Sequence, residues 1–200
     1  DKTGFRVVYG PVRAADIPAF LDAGMKADSE MRRVRFPLWD RIVLIPMDIL
    51  MLGKPAIAIA LFFMLTAGLS RSGFSVDDTL HRGSAVVGLF AAAYLAGGIL
   101  GPVLLPVLPG RAFSLKGMQV GLAVFIAAAV IRPEVLNSGL SLAGWALIMP
   151  VVSSAVLMNF TGTSTYTSLS GVIKEMRIAV PLQVVGAVIG TGLWIAGLFL

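Results

Sequence analysis

A mainly α fold, a five-helix transmembrane bundle preceded by a short βα unit, is predicted here by three observations. Of the 200 residues 57% are hydrophobic and 14% charged, whereas about a quarter of a soluble domain is charged. Mean hydropathy is +0.89. Nine of the sixteen Lys and Arg lie at or before Lys54, and beyond it long apolar runs alternate with short polar breaks, as successive spans do.

Taken in order, Phe5–Tyr9 reads as a short strand and Gly10-Pro11 as a turn. Asp16 is placed to N-cap a helix with Pro18 in its first turn and Gly24 as its stop. A βα unit over residues 1–25 is too small to bury a core by itself, so the chain opening at Asp1 reads as the tail of a longer protein. Residues 26–53 read as a basic linker and interfacial segment. Trp39 and its neighbouring arginines suit the headgroup layer, and Ile42–Met51, broken by Pro46 and Asp48, reads as interfacial or re-entrant. Residues 54–200 form the transmembrane domain, with spans at about 55–69, 83–101, 117–131, 142–160 and 180–200. Lys54 snorkels at the start of the first. Pro102, Pro106 and Pro109 extend or kink the exit of the second, and Pro150 kinks the fourth.

Alternate loops divide the sixteen basic residues thirteen to three, the majority on the side of the N-terminus. The expectation is a multi-pass protein of the cell inner (cytoplasmic) membrane with its N-terminus cytoplasmic. The net charge of +5 then serves topology and membrane lipid, not nucleic acid. Without cysteine the chain holds no disulfide, iron–sulfur cluster or thiolate metal site. Small residues, Ala92, Ala96 and Gly97 in the second span and Gly186, Gly190 and Gly192 in the fifth, suit close helix packing.

Chemistry has few places to sit. His81, the one histidine, follows Asp77 and Asp78; the three offer a metal site or, more simply, an N-cap of the second span by either aspartate. The most unusual stretch is the hydroxyl run Asn159–Gly171 at the exit of the fourth span. With Asn159, Thr161, Thr163, Ser164, Thr165 and Thr167, and with Lys174 and Arg177 just beyond, it is the candidate ligand or partner docking site. A polar loop with side-chain-stabilised turns is the plainer reading. No phosphate loop, catalytic triad or carboxylate pair within a span is present. With the first span begun at Pro55, the span interiors carry no ionisable residue, which argues against a transporter.

Three segments carry a resemblance: Val8-Tyr9-Gly10-Pro11-Val12-Arg13-Ala14 with Ile17-Pro18-Ala19-Phe20-Leu21; Leu108-Pro109-Gly110-Arg111-Ala112-Phe113-Ser114; and Asn159 to Met176, ending Ser-Gly-Val-Ile-Lys-Glu-Met. Together they resemble the mercury-methylation corrinoid protein family, over nearly the whole chain. That family joins a cytoplasmic corrinoid-binding domain, similar to the corrinoid iron–sulfur protein of the acetyl-CoA pathway, to a five-helix membrane domain. The resemblance implies that residues 1–25 are the C-terminal end of a corrinoid-binding α/β domain and that the rest anchors it. It implies methyl transfer from a cobalt corrinoid (cobalamin) to mercuric ion, a ferredoxin-like iron–sulfur protein as partner, and a methyl-group donor protein or folate. The intact protein would then be a methyltransferase of an anaerobe, and this chain alone would hold no cofactor. The family's Asn-(Val/Ile)-Trp-Cys-Ala-Ala-Gly-Lys motif is absent, so no catalytic residue carries over. Tyr9, Gly10, Pro11 and Val12 are the expected corrinoid-lining turn, as ligands in open α/β sheets lie beyond strand C-termini. The alternatives are a small multi-pass transporter, or the anchor of another corrinoid methyl-transfer protein of the acetyl-CoA pathway type.

Overall fold

The computed structural model describes residues 7–33, 36–136, 138–162 and 169–200. The chain forms two compact units, residues 1–37 and 38–200. In the first, a 3₁₀ turn at Ala14–Asp16 leads into α1, Ile17–Asp22, with Pro in its first turn. Gly24 and Met25 then take left-handed φ values of 65° and 62° and stop it. Asp16 stands at the N-cap but its side chain makes no cap hydrogen bond. Phe20 is the residue buried here. The expected strand is not found over residues 7–9, which have no regular structure; Phe5 and Arg6 lie outside the described residues. A lone strand has no ladder partner for its backbone, and none is available among the described residues.

Among its described residues the second unit is helical apart from one small hairpin and its connecting turns. Five helices are long and apolar enough to cross a membrane: α2, Leu38–Thr66; α3, Val76–Leu104; α4, Phe113–Ile131; α5, Gly139–Asn159; and α6, Leu169–Leu198. Strands β1, Leu69–Ser70, and β2, Gly73–Phe74, pair antiparallel between α2 and α3, with Gly73 at φ 108° in the turn. Ser75 and Ser138 N-cap α3 and α5, accepting from the amides of Asp78 and Ser141. The cap of α3 is thus Ser75, not Asp77 or Asp78; the two aspartates sit in the first turn, where their charge suits the helix dipole.

The largest departure from expectation is α2. Ile42–Met51 is not a separate interfacial or re-entrant segment: it is continuous with the first span in one 29-residue helix containing Pro46 and Pro55. The first compact unit ends at Pro37, just before this helix begins. The other four spans begin three to eleven residues earlier than expected, because capped and overhanging turns extend each apolar run.

α5 is central, flanked by α4 and α6, while α2 packs on α3 and α3 on α5. The core gathers Phe63, Phe90, Trp145 and Trp194. Phe63 lies 5.8, 5.3 and 5.2 Å from the rings of Phe90, Trp145 and Trp194. Large apolar side chains also cover the outside, including Leu50, Ile57, Leu182 and Val188, a surface suited to lipid.

Glycine sets the helix separations. An added Cβ at Gly121 would lie 2.7 Å from Met149 O and Pro150 Cα, and at Gly117 2.7 Å from Ser153 O and Ser154 Cα. At Gly144 it would meet Gly190 O at 2.7 Å. Of the small residues expected at interfaces, Gly97, Gly186 and Gly190 make such approaches, whereas nothing lies near Gly192.

Candidate functional site

The polar features concentrate at the end of the bundle where α2, α4 and α6 begin and α3 and α5 finish. Backbone chemistry explains the first of them. Pro106 and Pro109 have no amide hydrogen, so the carbonyls four residues earlier, of Pro102 and Leu105, lose their helical donors. Arg41 of α2 supplies the first, donating from Nη1 to Pro102 O and Val103 O, both at 2.8 Å. Lys116 of α4 supplies the second, donating from Nζ to Leu105 O at 2.6 Å. Both cations are buried and both sit at the negative end of the α3 dipole. Gln119 Nε2 donates to Pro109 O at 3.2 Å.

Just before this exit α3 makes a π-turn, Ala96–Leu100, in which the Gly101 amide bonds Ala96 O five residues back. Pro102 follows at once, and a proline cannot continue α-helical bonding to the turn before it. The π-turn brings Gly97 and Gly98 against α5 and Ile49 of α2. Beside it Tyr94 donates its hydroxyl to Ile49 O at 2.7 Å.

Next to Ile49 is Asp48, 2% exposed. Asn159 Nδ2, at the last residue of α5, donates to Asp48 Oδ1 at 2.8 Å across 111 residues of sequence. Asp48 Oδ2 has no partner among the described residues. α2 therefore carries Asp40, Arg41, Asp48 and Lys54 within its length, which corrects the expectation that the spans hold no ionisable residue. Their depth matters more than their number. The 21 residues of α5 make about 31 Å at ~1.5 Å per residue, matching a hydrocarbon core of ~30 Å. Asp48 is level with the last residue of α5, with Arg41 about two turns nearer the start of α2 and Lys54 about two turns further in.

α4, α5 and α6 close the site on the other side. Ala112, at the N-cap of α4, has no side chain to cap with; Glu175 of α6 does so instead, its Oε1 accepting from the Ser114 amide at 2.6 Å. Ser154 Oγ of α5 donates to Ser114 O at 2.8 Å, and Ser153 Oγ to Gly117 O at 2.7 Å. Gln183 Nε2 of α6 donates to Ser154 Oγ at 2.9 Å.

Of the residues expected at a docking site, Asn159 is thus tied to Asp48. Thr161 is buried, its hydroxyl donating to Met158 O at 2.7 Å. Lys174 and Arg177 are exposed on α6, and Lys174 borders a cavity. Thr163, Ser164, Thr165 and Thr167 lie outside the described residues. Tyr9 and Val12 are exposed in the first unit, Pro11 is half-buried, and the Val12 amide donates to Met31 O at 2.8 Å. A Cβ added at Gly10 would touch the Phe20 ring at 3.7 Å. At the opposite end of the bundle His81 pairs with Asp77 at 3.6 Å and Arg82 with Asp78 at 3.1 Å, on exposed surface. Among the described residues no three His, Asp or Glu gather to hold a metal.

Arg41, Asp48, Lys116 and Glu175 were not expected as site residues. The prolines four residues after the orphaned carbonyls were a legible signal for the two cations; nothing local pointed to the two carboxylates. Arg41, Lys116 and Glu175, engaged by carbonyls and an amide, tie α2, α3, α4 and α6 together at this end. Compared with known proteins, the chain matches no family model, no curated protein and no solved structure.

Proposed function

We propose that this chain is the membrane domain of a corrinoid-dependent methyltransferase that methylates mercuric ion, holding a cytoplasmic corrinoid domain at the inner membrane. One observation supports this above the others. Two of the three segments that resemble the family, Leu108–Ser114 and Asn159–Met176, are far apart in sequence yet meet through the bond from the Ser114 amide to Glu175. Segments that share a resemblance and also share a site are what a common docking face requires. In this reading the chain contributes anchoring and a docking surface for the ferredoxin-like partner. The corrinoid would be held by the upstream domain, with the Tyr9–Val12 turn as its nearest contribution from this chain.

The transporter alternative is less well supported. The ring cluster of Phe63, Phe90, Trp145 and Trp194 fills the bundle interior toward the end where α2 and α6 finish and α5 begins, and the buried charges lie toward the other end.

The test is to read the coding sequence upstream of Asp1 and to express the intact protein with an iron–sulfur partner in anaerobic membranes. Methylated mercury formed from Hg(II) is the expected product. An upstream region with no α/β domain and no Trp-Cys-Ala-Ala-Gly-Lys-type motif would overturn the reading.

A further inference from the structure

Between α4, α5 and α6 lies a cavity of about 670 Å³ that the architecture described so far does not use. Its walls are Leu115 and Met118 of α4, Val151 of α5, and Ile178 and Leu182 of α6. Four of these five, all but Val151, are more than 40% exposed, so the cavity opens sideways as a groove along the apolar surface. Its mouth is different. Arg111 and Lys174 stand there, both exposed. Among the described residues neither forms an ion pair.

The third charge at the mouth is Glu175. Its carboxylate is already engaged by the Ser114 amide at the N-terminus of α4, at 2.6 Å. The positive end of that helix compensates it locally, so two cations remain without a described counter-charge. The buried side chains of Ser154 and Gln183 line the cavity too and bond each other at 2.9 Å. They demand no partner from a ligand.

A sideways apolar groove with a cationic mouth at the start of a span matches one chemistry. An acyl chain lies along the groove while a negatively charged phosphate sits at the mouth, level with the headgroups. We propose that this groove binds one anionic phospholipid, its phosphate held by Arg111 and Lys174 and an acyl chain packed on Leu115, Met118, Ile178 and Leu182. A zwitterionic lipid has the chain but brings its own cation to a mouth that already has two. The proposal needs the five helices to lie in a bilayer, and it stands whatever reaction the intact protein performs.

The experiment is native mass spectrometry of the purified full chain released from nanodiscs of equal phosphatidylglycerol and phosphatidylcholine. The expected result is one phosphatidylglycerol retained, at about tenfold preference, the equivalent of ~1.4 kcal/mol. Arg111→Gln with Lys174→Gln should bring the preference to near unity. Leu182→Trp should block retention of either lipid while leaving the mouth charged. Arg71→Gln with Arg132→Gln, at the other end of the bundle, should change nothing. Equal retention of the two lipids by the unaltered chain overturns the proposal, as does an undiminished preference in the Arg111/Lys174 variant. Should that variant not fold, the unaltered chain still decides: phosphatidylglycerol must raise its melting temperature more than phosphatidylcholine does, and an equal shift overturns the proposal.

Discussion

Gly121→Ala should loosen the bundle at its tightest seam. The new methyl would sit 2.7 Å from Met149 O, Pro150 Cα and Ser153 Cβ. Two of those atoms are backbone, so no side chain can swing away, and α4 and α5 must part by roughly 0.8 Å to reach ordinary contact. Overpacking of this kind costs about 1–3 kcal/mol. Parting the helices also stretches the bonds from Ser153 Oγ to Gly117 O, 2.7 Å, and from Ser154 Oγ to Ser114 O, 2.8 Å. Such bonds within a membrane contribute about 0.6 kcal/mol each on average. Against this, alanine is the better helix former by about 1 kcal/mol. The net loss expected is about 1–3 kcal/mol. Gly88→Ala is the matched control: an added Cβ there meets nothing within 4 Å, so only the helix-propensity gain, up to about 1 kcal/mol, should remain. Equilibrium unfolding in mixed detergent micelles reads both. If the two variants unfold within about 0.5 kcal/mol of each other, a margin typical of surface substitutions, the glycines do not set the α4–α5 distance and the packing argument fails.

Other substitutions probe the polar end. Arg41→Met should destabilise by about 2–3 kcal/mol because it strips the Pro102 and Val103 carbonyls of a charged donor; adding Pro106→Ala should recover part of the loss by restoring the missing amide. A cycle of Asp48→Leu and Asn159→Leu should give a coupling of about 1 kcal/mol, and a coupling near zero would mean that the contact at 2.8 Å contributes nothing. Trp145→Phe should change stability by less than about 1 kcal/mol, since the buried Nε1 has no partner among the described residues and removing an unsatisfied donor offsets much of the lost area. In the loop between α4 and α5 the hydrogen bond from Arg132 holds the Glu134 carboxyl below the usual glutamate range. A lowered folded-state value stabilises above the unfolded pKa and is lost as pH falls through the folded one. NMR titration should find this carboxyl moving up toward the ordinary range in Arg132→Gln.

What could be read from the sequence divides by the range of the interactions involved. Five apolar runs with polar breaks were legible because burial in lipid depends on composition over some twenty residues. The first span was read too short because Pro46, Asp48, Lys54 and Pro55 look locally like breakers. Asp48 is tolerated through Asn159, 111 residues away, and no local pattern reports that. The cap at Ser75 was legible, three residues before Asp78, but the more acidic pair drew the assignment. Gly117 and Gly121 stand at the spacing of a close-packing motif, yet only the contact with Ser153 and Ser154 distinguishes them from the other glycines in the spans. Most of the hydroxyl run's docking residues lie outside what is described, so there the sequence remains the guide.

The placement of buried polar groups bears on which end of the bundle the proposed docking face would occupy. Of the ten buried polar or charged side chains among the described residues, eight lie toward the end where α2, α4 and α6 begin: Arg41, Asp48, Ser114, Lys116, Ser153, Ser154, Thr161 and Gln183. A buried polar group is costly unless its partners are placed well, so each such group fixes a relative position of two chain segments. Arg41 fixes α2 to the exit of α3, Lys116 fixes α4 to the same exit, Glu175 fixes α6 to α4, and Asn159 fixes α5 to α2. Anchoring alone needs no such precision, because apolar surface and close-packed glycines hold the middle of the bundle. At the opposite end the other two buried polar side chains are Thr79 and Ser141, and the surface ion pairs of Asp77, Asp78 and Glu134 contribute little. Polar side-chain bonds link all five helices at this end, the order that the proposed docking face would need. It directs the first mutagenesis to Glu175, whose loss should release the start of α6 while leaving the aromatic core, and hence insertion, intact.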